Sequence, residues 1–313
     1  MITDNLKFER IVITGGTGLV GTALRYLHPR GIFVSSCDYN LTDKAESMRM
    51  FRDHEPDAVI HLAAKVGGIK TNMHNLGDFF RDNILINTNV LDSARLHGTR
   101  KVLSLLSTCI YPDDVQYPLT EDQIHEGAPH VSNYGYAYAK RMLDVQSRAY
   151  RDQYGCNFIT AIPNNLFGEN DNYHLEDSHV IPAIIRKMHE ANLKNEKVKL
   201  WGDGTPLREF TYALDAARAI LVLLENYDQE GPINIGNTQE ISIKELAKKI
   251  ALMVGYNNDI IWQPALPGGQ HRKPSDNSKL RAHYKVYYTD FDKALRNTVE
   301  WFIMNYPKVR GIK

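Results

Sequence analysis

Ile11-Val12-Ile13-Thr14-Gly15-Gly16-Thr17-Gly18-Leu19-Val20-Gly21 decides how the rest of the chain is read. A β-branched run stops at a glycine-rich turn, and apolar residues at helical spacing, Leu19 to Leu27, begin directly beyond it. Gly16, Gly18 and Gly21 satisfy Gly-x-Gly-x-x-Gly, and the strand-turn-helix context lifts that pattern above its chance matches. The missing side chains allow positive φ angles and let a pyrophosphate approach the backbone. The free N–H groups at the helix start carry partial positive charge. The stretch therefore predicts the phosphate-binding turn of a dinucleotide fold rather than a plain tight turn.

Outward from this turn, short apolar runs recur at Ile32-Phe33-Val34, Ala58-Val59-Ile60, Val102 to Leu106 and Phe158 to Ile162. Between them Lys44 to Arg52, Phe79 to His97 and Tyr138 to Arg151 carry helix-compatible spacing. The alternation predicts an α/β fold, a doubly wound parallel sheet with helices on both faces. Beyond Pro163 come asparagine- and proline-rich loops, a helix from Val180 to Ala191, a turn at Gly202-Asp203-Gly204-Thr205-Pro206, and a helix from Leu214 to Leu224. The strand Ile233-Asn234-Ile235 follows, and Ser242-Ile243-Lys244-Glu245 opens a helix as a capping box. The expected organisation is a cofactor-binding domain over 1–163, with 214–236 returning to it, and a smaller α/β lobe over 164–313 that shapes the substrate site.

The 313 residues carry 37 basic and 37 acidic side chains, so no global field favours nucleic acid or an anionic membrane. An anionic ligand must then be held by local lysines or arginines. The three cysteines, Cys37, Cys109 and Cys156, are too scattered for a disulfide framework or a metal site, which points to a reducing compartment and to the cytoplasm. Met1 to Arg10, with Asp4 and Glu9, lacks an apolar signal core, and no later run is long and apolar enough for a bilayer. No metal and no membrane partner are expected.

The chemistry is read from Ser107, Cys109, Tyr136 and Lys140. With 17 tyrosines in the chain, the Tyr-x-x-x-Lys spacing proves little alone. Its position decides: it opens the helix after the fourth strand, and Ser107 lies at that strand's end, where parallel sheets present ligand-binding side chains. Tyr136 can protonate a ketone oxygen as hydride arrives, with Lys140 one turn away easing its proton off and reaching a nicotinamide ribose. Ser107 can hold the same oxygen. A Cys109 thiolate could remove a proton from the carbon beside that carbonyl, and His179 is the best of the 12 histidines to return one. Cofactor choice stays split at Ser35-Ser36-Cys37-Asp38. Serines suit the phosphate of NADP, whereas Asp38 suits the ribose of NAD, and Asp43 caps a helix or sits near adenine.

The motifs resemble the extended short-chain dehydrogenase/reductase superfamily and, within it, the GDP-L-fucose synthase family. The resemblance spans nearly the whole chain. It rests on Gly15 to Gly21, His61 to Ile69, Ser107-Thr108-Cys109-Ile110-Tyr111-Pro112, Pro163 to Gly168, Asn170 to Tyr173, Ser178 to Pro182 and Trp201 to Phe210. It implies a homodimer and 3,5-epimerisation followed by NADPH-dependent 4-reduction of GDP-4-keto-6-deoxy-D-mannose. Cys109 would be the base and His179 the acid, with Ser107, Tyr136 and Lys140 running the reduction. It also implies a cofactor shell of Gly15, Gly16, Thr17, Gly18, Leu19, Val20, Gly21, Ser36, Asp38, Leu41, Leu105, Leu106, Ser107, Thr108, Lys140, Pro163, Asn164, Asn165, Leu166 and His179. Lys187, Trp201, Arg208 and Asp276 match positions that bind the GDP-sugar.

Three positions depart from the pattern. Thr17 and Ser36 stand where some bacterial members carry arginines for the NADP phosphate, and Asn164 replaces a common threonine. Alternative readings are a 4-reductase without epimerisation, a related epimerase or dehydratase, and a non-catalytic NADP-binding sensor. Thr108-Cys109 stands where the dehydratases carry Asp-Glu, and the intact Ser107, Tyr136 and Lys140 disfavour the sensor.

Overall fold

The computed structural model describes residues 6–265 and 271–312; Asp4 and the rest of the first five positions lie outside them. Strands β1 (Ile11–Thr14), β2 (Ile32–Val34), β3 (Ala58–His61), β4 (Lys101–Leu105), β5 (Phe158–Pro163) and β9 (Ile233–Ile235) form a six-stranded sheet in the order β2-β1-β3-β4-β5-β9. Every pairing in it is parallel. Side chains alternate across a strand, so β1 serves two cores: Ile11 and Ile13 pack into one cluster and Val12 into the other. Val12 faces Val59 in register, Val59 faces Val102, and Val102 faces Phe158. Helices α1 (Leu19–Leu27) and α7 (Ala213–Asn226) cover the first face, while α2 (Lys44–His54), α4 (Leu76–Leu96) and α5 (Tyr134–Tyr154) cover the other. Short α3 (Ile69–His74) precedes α4.

Helix boundaries follow the expected ones where a local cap sets them. Asp43 accepts from Ala45 N at 2.7 Å and opens α2, so the capping alternative read from the sequence is the one found. Both α4 and α5 start earlier than their apolar spacing suggests, because they pack along each other: α4 begins at Leu76 and α5 at Tyr134. That puts Tyr136 in the first turn of α5 and Lys140 one turn further in.

A second body gathers around its own cluster. Helices α6 (Val180–Lys194), α8 (Ile243–Val254) and α10 (Phe291–Asn305) enclose Ile184, Met188, Leu246, Ile250, Val299 and Phe302. Strands β6 (Asn165–Phe167), β8 (Leu207–Tyr212) and β10 (Glu240–Ser242) form a three-stranded mixed sheet, and β7 (Val198–Trp201) pairs in parallel with β11 (Ile260–Gln263). Helix α9 (Ser278–His283) returns to the main sheet through Leu280. The chain runs from β1 to β2 on one side and β3 lies on the other, so the switch point opens between β1 and β3 at their C-terminal ends.

Candidate active site

The glycine turn sits at that switch point. Gly15 takes φ of +68°, and a Cβ there would lie 3.0 Å from Ala63 N, just beyond β3. A Cβ at Gly21 would stand 2.6 Å from the Gly15 carbonyl oxygen and 2.7 Å from Gly16 Cα, so only glycine lets the helix seat on the turn. Gly18 is the N-cap of α1 and no side chain caps it, which leaves the first N–H groups of that helix for a ligand. A cradle built on glycine backbone at an uncapped helix start fits a pyrophosphate.

At the end of β2 the carboxylate of Asp38 turns back on its own loop. It accepts from Ser35 N and Ser35 Oγ, both at 2.8 Å, and these bonds hold it below the usual carboxylate range. Ser36 is exposed beside it. Arg49 donates to the Asp38 carbonyl at 3.0 Å, and its guanidinium lies 4.4 Å from the centre of the Tyr39 ring. This cation, close to the loop in space though eleven residues away in sequence, was not among the residues read from the motif.

The catalytic cluster is assembled by β4 and α5. Ser107 caps the short turn Thr108–Ile110, and its Oγ accepts from Cys109 N at 3.4 Å, which leaves the hydroxyl hydrogen to donate elsewhere. Lys140 is buried and donates from Nζ to Leu105 O at 2.8 Å; the same Nζ lies 6.0 Å from the centre of the Tyr136 ring. Tyr136 and Cys109 are half-buried, and they face each other electrostatically. Burial pushes the Tyr136 phenol up and the Cys109 thiol up, and brings the Lys140 ammonium down to about 8. Desolvation therefore outweighs the easing of the Tyr136 proton expected from Lys140. The phenol stays protonated, as an acid requires.

His179 is on a different element, the N-cap of α6, where it is exposed. The segment before it docks on the start of α3, beyond β3: Thr71 Oγ1 donates to Asp177 Oδ1, and a Cβ on Gly68, the N-cap of α3, would stand 3.0 Å from Glu176 O. His179 is thus carried to the same end of the main sheet as the turn and the Ser107 cluster. Behind it lies Asp171, 4% exposed, whose Oδ1 accepts from Asn172 N at 2.7 Å and whose Oδ2 has no partner. Burial raises the Asp171 carboxyl, and His179 is the first group opposing that. The sequence motif contained Asp171, but only the fold sets it beside the imidazole.

The remaining positions separate by what their side chains already do. Leu41, Leu105, Leu106, Thr108 and Pro163 are buried, Leu166 is half-buried, and Asn165 is exposed, donating to Glu209 O at 2.8 Å. The Asn164 amide is consumed inside the protein. It donates to Glu209 Oε2 at 3.1 Å and to Asn237 O at 2.8 Å, and accepts from Thr211 Oγ1 at 2.6 Å. Lys187 is half-buried and its ammonium is held below its ordinary range by desolvation. Trp201 is 47% exposed at the end of β7, free to stack on a ring rather than part of a core. Arg208 donates to Leu207 O at 2.7 Å, and Asp276 accepts from Ser278 N at 2.6 Å. Lys273, which the sequence did not single out, faces both Arg208 and Cys109 and gives the cleft the local positive charge that a neutral chain must supply by placement. Among the described residues no group of His, Cys, Asp or Glu converges as a metal site.

Fold and cleft together define a dinucleotide-dependent oxidoreductase. Residues 11–236 match the model of the NAD dependent epimerase/dehydratase family. The chain is 42% identical to a probable GDP-L-fucose synthase of Drosophila melanogaster, over 96% of this chain and 99% of that one. It is 39% identical to the GDP-L-fucose synthase of Dictyostelium discoideum, over 99% and 100%. The crystal structure of a GDP-L-fucose synthetase from Naegleria fowleri bound to NADP superposes with a TM-score of 0.92 at 38% identity, covering 98% of this chain and 96% of that one. The chain belongs to the NAD dependent epimerase/dehydratase family and, within it, to the GDP-L-fucose synthases.

Proposed function

We propose that this enzyme makes GDP-L-fucose from GDP-4-keto-6-deoxy-D-mannose, inverting C3 and C5 and then reducing C4 with NADPH. The observation that carries the reading is a thiol, Cys109, standing inside a Ser107-Tyr136-Lys140 reductase cluster. Carbon-bound protons at C3 and C5 are acidified only while the C4 ketone survives, so epimerisation precedes reduction. In each inversion the Cys109 thiolate takes the proton, the electron pair moves toward O4, and His179 returns a proton to the opposite face of the carbon. Ser107 donates to O4 throughout. In the last step Tyr136 gives O4 its phenolic proton, with Lys140 beside it.

The cofactor, when bound, supplies the hydride to C4. The bare glycine cradle and the first N–H groups of α1 would hold its pyrophosphate, Ser36 its adenosine phosphate and Lys140 its nicotinamide ribose. Lys187, Arg208, Trp201 and Asp276 would hold the GDP-sugar. Residues 1–163 with 214–236 would form the cofactor-binding unit, and most of 164–313 the sugar side. Pairing of α4 and α5 with their copies in a cytoplasmic homodimer is supported by Phe80, Leu85, Leu96, Met142 and Val145, all exposed on those two helices.

The test is product identity. Purified protein given GDP-4-keto-6-deoxymannose and NADPH should yield GDP-L-fucose by NMR; GDP-D-rhamnose would reduce it to a 4-reductase and leave Cys109 and His179 without their roles.

A further inference from the structure

The turn that carries Cys109 is held at its far end by an arginine. Its own bonds are long: Cys109 N donates to Ser107 Oγ at 3.4 Å, Tyr111 N to Thr108 O at 3.4 Å and Ile110 N to Ser107 O at 3.1 Å. The carbonyl of Ile110, the last residue of the turn, accepts a shorter bond from outside it, 2.7 Å from Arg141 Nε. Nη1 of the same guanidinium donates to Gly127 O at 2.7 Å. Between these two carbonyls the chain makes an excursion whose legs pair at Pro112 and Pro129, with Asp113 N donating to Ala128 O at 2.9 Å. Arg141 therefore closes the base of that excursion and the end of the Cys109 turn together. It is 4% exposed, it bonds to neutral carbonyls, and its remaining Nη2 has no partner. A buried cation is a costly way to satisfy two carbonyls. What sets this pair apart is that Ile110 directly follows Cys109.

We infer that Arg141 is a positioning residue for the epimerising thiol: by gripping Ile110 O it fixes the backbone on which Cys109 stands. Arg141 comes from the same helix as Tyr136 and Lys140, so α5 locates both halves of the chemistry. The two halves depend on it differently. Ser107 stays with β4 in its absence, because Leu106 N donates to Ala161 O at 2.8 Å and Lys140 Nζ donates to Leu105 O at 2.8 Å. Beyond the turn, Ile110 and Tyr111 keep their side chains in the core. The Ile110 carbonyl, buried and deprived of its donor, would rotate in search of another, and the Cys109 turn with it. A thiolate that must reach the protons on both C3 and C5 loses on the order of 100-fold for roughly 1 Å of misplacement. Hydride delivery to C4 relies instead on Ser107 and Tyr136, which keep their own anchors. The inference rests on the base role proposed for Cys109.

It is tested on the full chain. Arg141→Met should lower solvent exchange at C3 and C5, read by NMR in deuterated water, about tenfold more than it lowers NADPH oxidation, and shift the product toward GDP-D-rhamnose. Arg141→Lys, which keeps a donor for Ile110 O, should recover part of the exchange. Without substrate, alkylation by iodoacetamide, in which the sulfur displaces iodide, should rise severalfold at Cys109 relative to Cys37 in Arg141→Met, because a loosened turn exposes the thiol. Peptide mass spectrometry separates the two cysteines. In a methionine variant that still binds NADPH, exchange and NADPH oxidation falling together would overturn the inference. So would an unchanged alkylation ratio, or a lysine variant as slow in exchange as the methionine one. If Arg141→Met does not bind NADPH, the test passes to Arg141→Lys, where exchange slowed more than NADPH oxidation is the expected result and equal loss the contrary one. If the alkylation ratio shifts but the wild type makes no GDP-L-fucose, the grip of Arg141 on the turn stands and the proposed function falls.

Discussion

Ser107, Cys109 and Tyr136 divide the work at one carbonyl, and single substitutions should separate their roles. Tyr136→Phe should lower ketone reduction by roughly 100-fold or more while solvent exchange at C3 and C5 continues, measured by NADPH oxidation and by NMR. Cys109→Ser should suppress the exchange; equal loss of exchange in both variants would contradict the division. These residues were legible in the sequence because each sits at a fixed offset from a strand end or helix start. Lys273 and Asp171 were not, since no spacing relates them to Cys109 or His179 and only folding brings them near. His61 was read only as part of a motif, yet it is fully buried, with Nδ1 2.9 Å from Thr14 Oγ1 and Nε2 3.2 Å from Asn87 Oδ1. Thr14 Oγ1 accepts from Leu62 N and Ala63 N, so its hydrogen goes to Nδ1 and the imidazole is neutral with Nε2 donating to Asn87. Burial, with the nearby Lys140 charge, lowers its pKa from 6.5 to about 3. The unfolded chain therefore binds the extra proton first. His61 adds no penalty above about pH 6.5, and stability should fall by up to about 1.4 kcal/mol per pH unit between there and about pH 3. Urea unfolding over that window should show a flatter dependence in His61→Gln than in the wild type.

Elements bounded by local chemistry were readable to the residue. Helix α1 begins where the glycine turn ends, and α8 begins at its capping box: Ser242 Oγ accepts from Glu245 N at 3.1 Å, and Ser242 N donates to Glu245 Oε2 at 3.2 Å. Ser242→Ala should cost about 1 kcal/mol, seen as a lower thermal midpoint with unchanged NADPH binding. Elements bounded by packing were blurred. Helices α4 and α5 overran their apolar spacing at the start because each is the other's neighbour. The strands of the second body, β6, β7, β8, β10 and β11, were not read at all. They are short and lie among glycine and proline turns, so their pattern carries little information until a partner strand is present.

Across the whole molecule, the two bodies meet in a buried polar network that no single segment announces. Glu209 on β8 accepts from Asn164 after β5 and from Ser275 ahead of α9, while Thr211 joins Asn164 to Asn237 beyond β9. Glu209 is 1% exposed, so Glu209→Ala takes the carboxylate acceptor from Asn164 Nδ2, Ser275 N and Ser275 Oγ, on two segments. It should cost about 3 kcal/mol by denaturant unfolding. The network explains how Asn164, a departure from the family's threonine, is accommodated: its longer amide reaches Glu209 at 3.1 Å and Asn237 O at 2.8 Å. The central claim is that one cleft epimerises before it reduces. Turnover of GDP-4-keto-6-deoxymannose with NADPH in deuterated water measures it most directly: GDP-L-fucose carrying deuterium at C3 and C5 is the predicted product, and a reduced sugar without deuterium at those carbons would contradict the account.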